Sequence, residues 1–146
     1  MKAYVASGLE NAIAAKTMMA RLRSRGWEIT YDWTEHGSVQ SQGIDKITEV
    51  ADKEVSGAMS ADLILAILPG GRGTHVEIGM GIAAGAAVIV YDPTQWASKK
   101  DGTCAFYHAS DVFFIETEDG LSHTLAEIEG DFVDIGDVDD DRENGL

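Results

Sequence analysis

Basic residues are scarce in this 146-residue chain: 11 Lys and Arg stand against 25 Asp and Glu, a net charge of −14. A surface that neutralises many phosphates needs the opposite balance, so the composition argues against a nucleic-acid partner. Cysteine is nearly absent. Cys104 alone closes no internal disulfide and builds no Cys-rich metal framework, and His36, His75, His108 and His123 show no ligand spacing, so neither a metal nor a cofactor is expected. No apolar run approaches the roughly 18–20 residues of a membrane helix, and residues 1–7 lack the basic start and long apolar stretch of a signal peptide. The expectation is an unprocessed cytoplasmic protein with no membrane partner. Proline occurs only at Pro69 and Pro93, so no linker is visible. The length suits one domain, read as 1–130, followed by an acidic tail, 131–146, with seven acidic residues against Arg142. Residues 137–146 have almost no apolar side chains and are expected to be loose and dispensable.

The rest of the chain alternates two patterns. Apolar runs at 62–68, 86–91 and 112–115, rich in β-branched residues, suit central strands of a parallel sheet covered on both faces, with 2–6 and 27–31 as further strands. Helical patterns lie between them at 9–25, 43–60, 74–84 and 121–129, and Gly26, Gly85 and Gly130 stand as stop signals. Strict alternation predicts an α/β fold: a doubly wound, Rossmann-like parallel sheet of five strands in three layers, with flavodoxin-like strand order. Such sheets bind ligands beyond the carboxyl ends of their strands, where strand order reverses. That directs attention to Ser7-Gly8, to Tyr31–Thr34, to the segment from Pro69 to Thr74, and to Asp92.

The densest signal is Gly70-Gly71-Arg72-Gly73-Thr74-His75-Val76-Glu77-Ile78-Gly79. Glycines in a strand-to-helix loop let a ligand approach the backbone, and the helix start offers free N–H groups. The loop lacks the Gly-Lys-Ser/Thr ending of a Walker loop and does not follow the first strand as a dinucleotide fingerprint would. Thr74-x-x-Glu77 also fits a capping box, in which Glu77 folds back onto the backbone, and Ser7-x-x-Glu10 reads as an ordinary cap. A helix start would favour the Glu77 anion and keep it ionised at neutral pH. Trp33 and His36 suit either stacking on a flat base or packing under a loop. Asp92 suits either a sugar hydroxyl or a structural role, His75 reads as a surface residue of the first turn, and Asp62 as the orienting residue of a strand start.

Taken together, Tyr4-Val-Ala-Ser-Gly8, Glu54 ahead of Ser56-Gly57, Ser60-Ala-Asp62 opening an apolar strand, and Gly73-Thr-His-Val-Glu77-Ile-Gly79 follow one order. It resembles that of the nucleoside 2-deoxyribosyltransferases and the related 2′-deoxynucleoside 5′-monophosphate N-glycosidases, over roughly residues 2–93. The resemblance implies Glu77 as nucleophile, Tyr4 as the residue orienting it, and Glu54 as the contact to the leaving base or sugar. It further implies a 2′-deoxynucleoside and a free nucleobase as partners, and a homo-oligomer in which Phe106 or Tyr107 reaches a neighbour's pocket. The family more usually has aspartate at the Glu54 position, and Gly71-Arg72 stand where several transferases carry another acid. Ser7, Gly8, Trp33, Gly71, Gly73, Thr74 and Asp92 are the expected substrate contacts, and Ser7, Gly8, Lys16 and Arg72 would be the cradle if the substrate carried a phosphate. A non-catalytic nucleotide-binding module on the same fold is the rival from another class.

Overall fold

The strand-forming runs pair side by side in the computed structural model, which describes residues 1–136. The elements in chain order are β1 (Lys2–Ala6), α1 (Ala12–Ser24), β2 (Glu28–Ile29), α2 (Ile44–Met59), β3 (Leu63–Ile67), α3 (Arg72–Ala84), β4 (Ala87–Tyr91), β5 (Val112–Ile115) and α4 (Glu118–Gly136). All neighbours are parallel in the order β2-β1-β3-β4-β5, the flavodoxin-like order that alternation predicts. Central β3 is buried along its whole length, as an apolar run on both faces requires. Helices α2 and α3 pack together on one face. On the other, α1 and α4 are joined by Arg21 to Glu118 at 2.7 Å and by the paired bonds of Arg25 to Glu129, each 2.8 Å.

The boundaries differ from the sequence pattern in instructive places. Residues 9–11 form a 3-10 turn before α1, and β2 is two residues long because Asp32 accepts from the Thr34 amide and turns the chain into a second 3-10 turn, Trp33–Glu35. Helix α4 starts three residues before the predicted 121 and runs through Gly130 to Gly136. An interior glycine weakens a helix by only about 1 kcal/mol; here Glu129 is held by Arg25 and by the Trp27 indole N–H at 2.8 Å, and Phe132 packs edge-on to Trp27 at 6.0 Å. Part of the segment read as tail is therefore helix, and the expectation for 137–146 lies outside the described residues. Asp62 does orient a strand start: its carboxylate accepts from the Lys2 amide at 2.7 Å.

Two glycines set how closely the helices approach the sheet. A Cβ on Gly81 of α3 would meet Ile64 Cγ1 at 2.5 Å and Val88 Cγ2 at 3.1 Å, and one on Gly57 of α2 would meet Tyr31 Cβ at 2.9 Å and Tyr4 Cδ2 at 3.2 Å. Their helices can lie that deep only without side chains there. Gly81→Ala should destabilise the protein by about 1–3 kcal/mol through overpacking. Gly79→Ala, in the same helix with open space around the added Cβ, should gain a few tenths to about 1 kcal/mol in helix propensity. Urea unfolding of both variants checks the contrast, and equal midpoints would show that the helix yields at Gly81.

Candidate functional site

Strand order reverses between β1 and β3, and the loops leaving their carboxyl ends are tied together there. The Ser7 hydroxyl donates to the Ile67 carbonyl at 2.7 Å, and Asn11 Nδ2 donates to the Pro69 carbonyl at 3.0 Å. Ser7 is therefore no cap: Gly8 precedes the 3-10 turn, with no side-chain capping bond. A cleft of about 570 Å³ opens above these loops, lined among others by Ser7, Gly8, Trp33, Glu54, Gly71, Gly73, Thr74 and Glu77.

The chemistry of the cleft comes from three elements. Tyr4 is the middle residue of β1, fully buried, and points to the face covered by α2 and α3. Its hydroxyl donates to Glu77 Oε1 at 2.6 Å. Glu77 projects from α3, 8% exposed, and its carboxylate accepts from no other side chain among the described residues. Glu54, half-buried on α2, completes the set. It continues the stripe of Ile47 and Val50 at helical spacing, and both of those also line the cleft.

Glu77 is therefore not folded back in a capping box. Helix α3 begins at Arg72, two residues earlier than predicted, so Thr74 lies inside it and Gly71 takes the cap position without a side-chain bond. Thr74 is 2% exposed, and its hydroxyl, shut off from solvent, has no partner. Burial, opposed by the Tyr4 hydrogen bond, pushes the Glu77 carboxyl up to about 7. This corrects the expectation of an anion secured by the helix start: the dipole's favour fades beyond the first turn, and Glu77 is the sixth residue of α3. Burial likewise raises the Glu54 carboxyl, opposed by His36, and holds Tyr4 well above its ordinary range, so that Tyr4 keeps its proton and donates it.

The remaining candidates divide. Trp33 is 5% exposed and spends its indole N–H on the Val5 carbonyl at 2.8 Å, so it packs under the loop and also walls the cleft. Asp92 is fully buried, with one carboxylate oxygen accepting from the Trp96 amide and the other from the Ala97 amide, each at 2.8 Å; it holds the following turn and lies outside the cleft lining. Lys16 is paired with Glu35 at 3.9 Å and does not line the cleft either. His75 turns away to Gly71 O at 2.6 Å and the Tyr107 hydroxyl at 2.7 Å, stacked on the Tyr107 ring at 5.4 Å. Tyr107, expected to reach a neighbour, is 2% exposed inside its own subunit, while Phe106 is 66% exposed. Glu10, read only as a cap residue, also lines the cleft, where its carboxylate lies over Gly8. Among the described residues no three His, Cys, Asp or Glu side chains converge as metal ligands would. None of their helices is long and apolar enough to cross a membrane.

No protein-family model matches the chain, and no curated protein matches it. Among solved structures it is similar to the CMP N-glycosidase BcmB of Clostridium botulinum, with a TM-score of 0.54 and 19% identity over 84% of this chain and 95% of that one. At that identity the likeness shows a shared fold.

The raised Glu77 carboxyl has a consequence for stability. Above about 7 the folded protein holds a buried charge that the unfolded chain keeps in water, a penalty of up to about 3 kcal/mol. As pH falls from 7 towards the ordinary 4.5 the folded state binds the extra proton and the penalty fades. Glu77→Gln should therefore be more stable than wild type at pH 8, with the gap closing by pH 5, as read by urea midpoints. A gap independent of pH would mean that Glu77 does not titrate near 7. Tyr4→Phe should move the Glu77 carboxyl titration, followed by NMR, to still higher pH, because the hydrogen bond that favours the anion is lost.

Proposed function

We propose that the protein cleaves the N-glycosidic bond of a 2′-deoxynucleoside and passes the sugar to another nucleobase, as a nucleoside 2′-deoxyribosyltransferase. The observation that carries this reading is the 2.6 Å bond from Tyr4 to Glu77 inside a cleft that also holds Glu54. Cleavage develops positive charge on the anomeric carbon, and a carboxylate set against it captures the sugar as an ester, dividing one difficult step into two. Tyr4 occupies one Glu77 oxygen and fixes the carboxylate so that the other attacks. Glu54, whose carboxyl burial favours in its protonated form, meets the departing base. A second base then attacks the ester in reverse. A 2′-hydroxyl would withdraw electrons from the developing cation, which favours 2′-deoxy substrates. We further place the enzyme in a homo-oligomer, with exposed Phe106 as the residue that reaches a neighbour.

Hydrolysis of a nucleoside monophosphate is the second reading. It is favoured by Arg72 and the uncapped start of α3 at the cleft, and by the N-glycosidase activity for which the BcmB neighbour is named. Against it, Glu10 lies over Gly8, so that Glu10, Glu54 and Glu77 outnumber the single arginine of the lining. That balance favours a neutral nucleoside.

Incubation with deoxyadenosine, with and without cytosine, and with CMP and deoxycytidine monophosphate in parallel, distinguishes the readings by chromatography. The expected result is deoxycytidine from the first pair and little release from the nucleotides. Glu77→Ala should lower turnover by roughly 10⁴-fold or more, and a slow deoxynucleoside analogue should leave its sugar on Glu77 in the wild type. A sugar mapped to another residue would refute the mechanism.

A further inference from the structure

One contact reaches the wall of the cleft from outside it. Tyr107 lies in a 3-10 turn, Ala105–His108, of the connection between β4 and β5, and its buried ring stacks on His75 of α3 at 5.4 Å. The Tyr107 hydroxyl is 2.7 Å from His75 Nε2 and has no other acceptor among the described residues, so the phenol donates and Nε2 is the bare ring nitrogen. The ring proton is therefore on Nδ1, which donates to the Gly71 carbonyl at 2.6 Å. That carbonyl also accepts from the His75 amide at 3.3 Å, so it points along α3. In a planar trans peptide the N–H is directed opposite to the C=O, and the Arg72 N–H is thereby turned out of the helix start. Gly71, Arg72, Gly73 and Thr74 all line the cleft, and among the described residues nothing accepts from the amides of Arg72, Gly73 and Thr74. Orphan amides at a helix start are ordinary. The Thr74 hydroxyl in the same turn is not: it is buried without a partner, a rare state that calls for an explanation.

We propose that His75, held by Tyr107, is a positioning residue that keeps the Gly71–Arg72 peptide turned so that the Arg72 N–H binds a hydroxyl oxygen of the substrate sugar. This rests on the functional reading above and adds to it what selects the sugar. Glu77 meets the anomeric carbon, and Arg72 stands five residues earlier on the same helix, about 7.5 Å along its axis, whereas Glu54, which meets the base, is on α2. The donors of the α3 start therefore fall to the sugar rather than to the base. Glycine at 70 and 71 leaves the loop peptide free to flip, and the two bonds to the Gly71 carbonyl oppose the flip. Tyr107 matters through the tautomer. Without its hydroxyl the ring proton is free to move to Nε2, and Nδ1 would then face the Gly71 carbonyl with a lone pair against a lone pair. His75 itself touches no substrate atom; it acts through Gly71.

The test measures kcat/KM on 2′-deoxyadenosine, 2′,3′-dideoxyadenosine and 2′,5′-dideoxyadenosine, with cytosine as acceptor. His75→Phe keeps a ring against Tyr107 and loses both side-chain hydrogen bonds. It should cost roughly tenfold on 2′-deoxyadenosine, the worth of one hydrogen bond, and less than about twofold on whichever analogue lacks the bound hydroxyl. Tyr107→Phe, which keeps the buried ring, should show the same pattern. His75→Asn, whose side-chain nitrogen takes the place of Nδ1, should recover most of the loss. Should His75→Phe fail to fold, Tyr107→Phe and His75→Asn carry the same comparison. With an active wild type, equal losses on all three nucleosides, or unimpaired variants, would overturn the inference alone and assign His75 a structural role only. A wild type inert on all three overturns the functional reading and the inference with it.

Discussion

The Glu77 carboxylate sits where β1, α2 and α3 converge, nearly withdrawn from water, and a single hydroxyl from Tyr4 stands in for its lost hydration. Much of the fold bears on that placement. Tyr4 is held by the middle strand pairing of the sheet, Tyr4 to Ile64, so the donor cannot drift. The acceptor rides on α3, whose depth is set four residues later at Gly81 against Ile64 and Val88. The same β3 residue therefore registers Tyr4 and receives the helix that carries Glu77, which makes their separation a property of the core rather than of a loop.

Glu54 obeys the same logic from the other side. Gly57 lets α2 press against Tyr4 and Tyr31, and Glu54 lies one turn before it on the same helix. Both carboxylates are thus placed by helix-to-sheet distances, and both distances depend on a position without a side chain. The loops around them supply walls and backbone. The bonds of Ser7 to Ile67 and of Asn11 to Pro69 draw the two loops of the reversal point together.

The alternation of apolar runs and helical patterns made the fold legible, because a parallel sheet covered on both faces leaves little other use for continuous runs such as 63–67. The three central residues were legible only through the resemblance. By spacing alone Glu77 fits a capping box, and what decides against it is the start of α3 at Arg72, two residues before the Thr74 that would have to cap. Asp92 shows the opposite failure. An acidic residue at a strand's carboxyl end looks like a ligand contact, but two amides in the following turn claim both its oxygens, and local sequence does not reveal a turn in 94–98. Gly130 misled for a related reason. It carries the composition of a stop signal, and it was outweighed by the tertiary contacts of Glu129 and Phe132, which no local pattern contains. His36 had a visible signal, a histidine just past a strand end; that its Nε2 is left without a partner follows only from the packing of Tyr31 and the turn around it.

Two carboxyl groups in one cleft raise the question of which ionises first, and the structure answers it by asymmetry rather than by distance. Burial raises both, and the charge of Glu54 raises Glu77 further, so the pair resists holding two charges at once. Tyr4 opposes that rise at Glu77 alone, and only in part, since the Glu77 carboxyl still stands at about 7. It donates to Glu77 and to no other residue, and a donor favours the charged form of a carboxyl acceptor. An entering ligand that displaces water would deepen the burial of both groups but leave the Tyr4 bond in place, so that bond is what still favours the Glu77 anion as the cleft fills. One phenol hydroxyl, fixed in the middle of β1, is thus what sets apart two chemically identical groups: Glu77 has a donor, and among the described residues Glu54 has none.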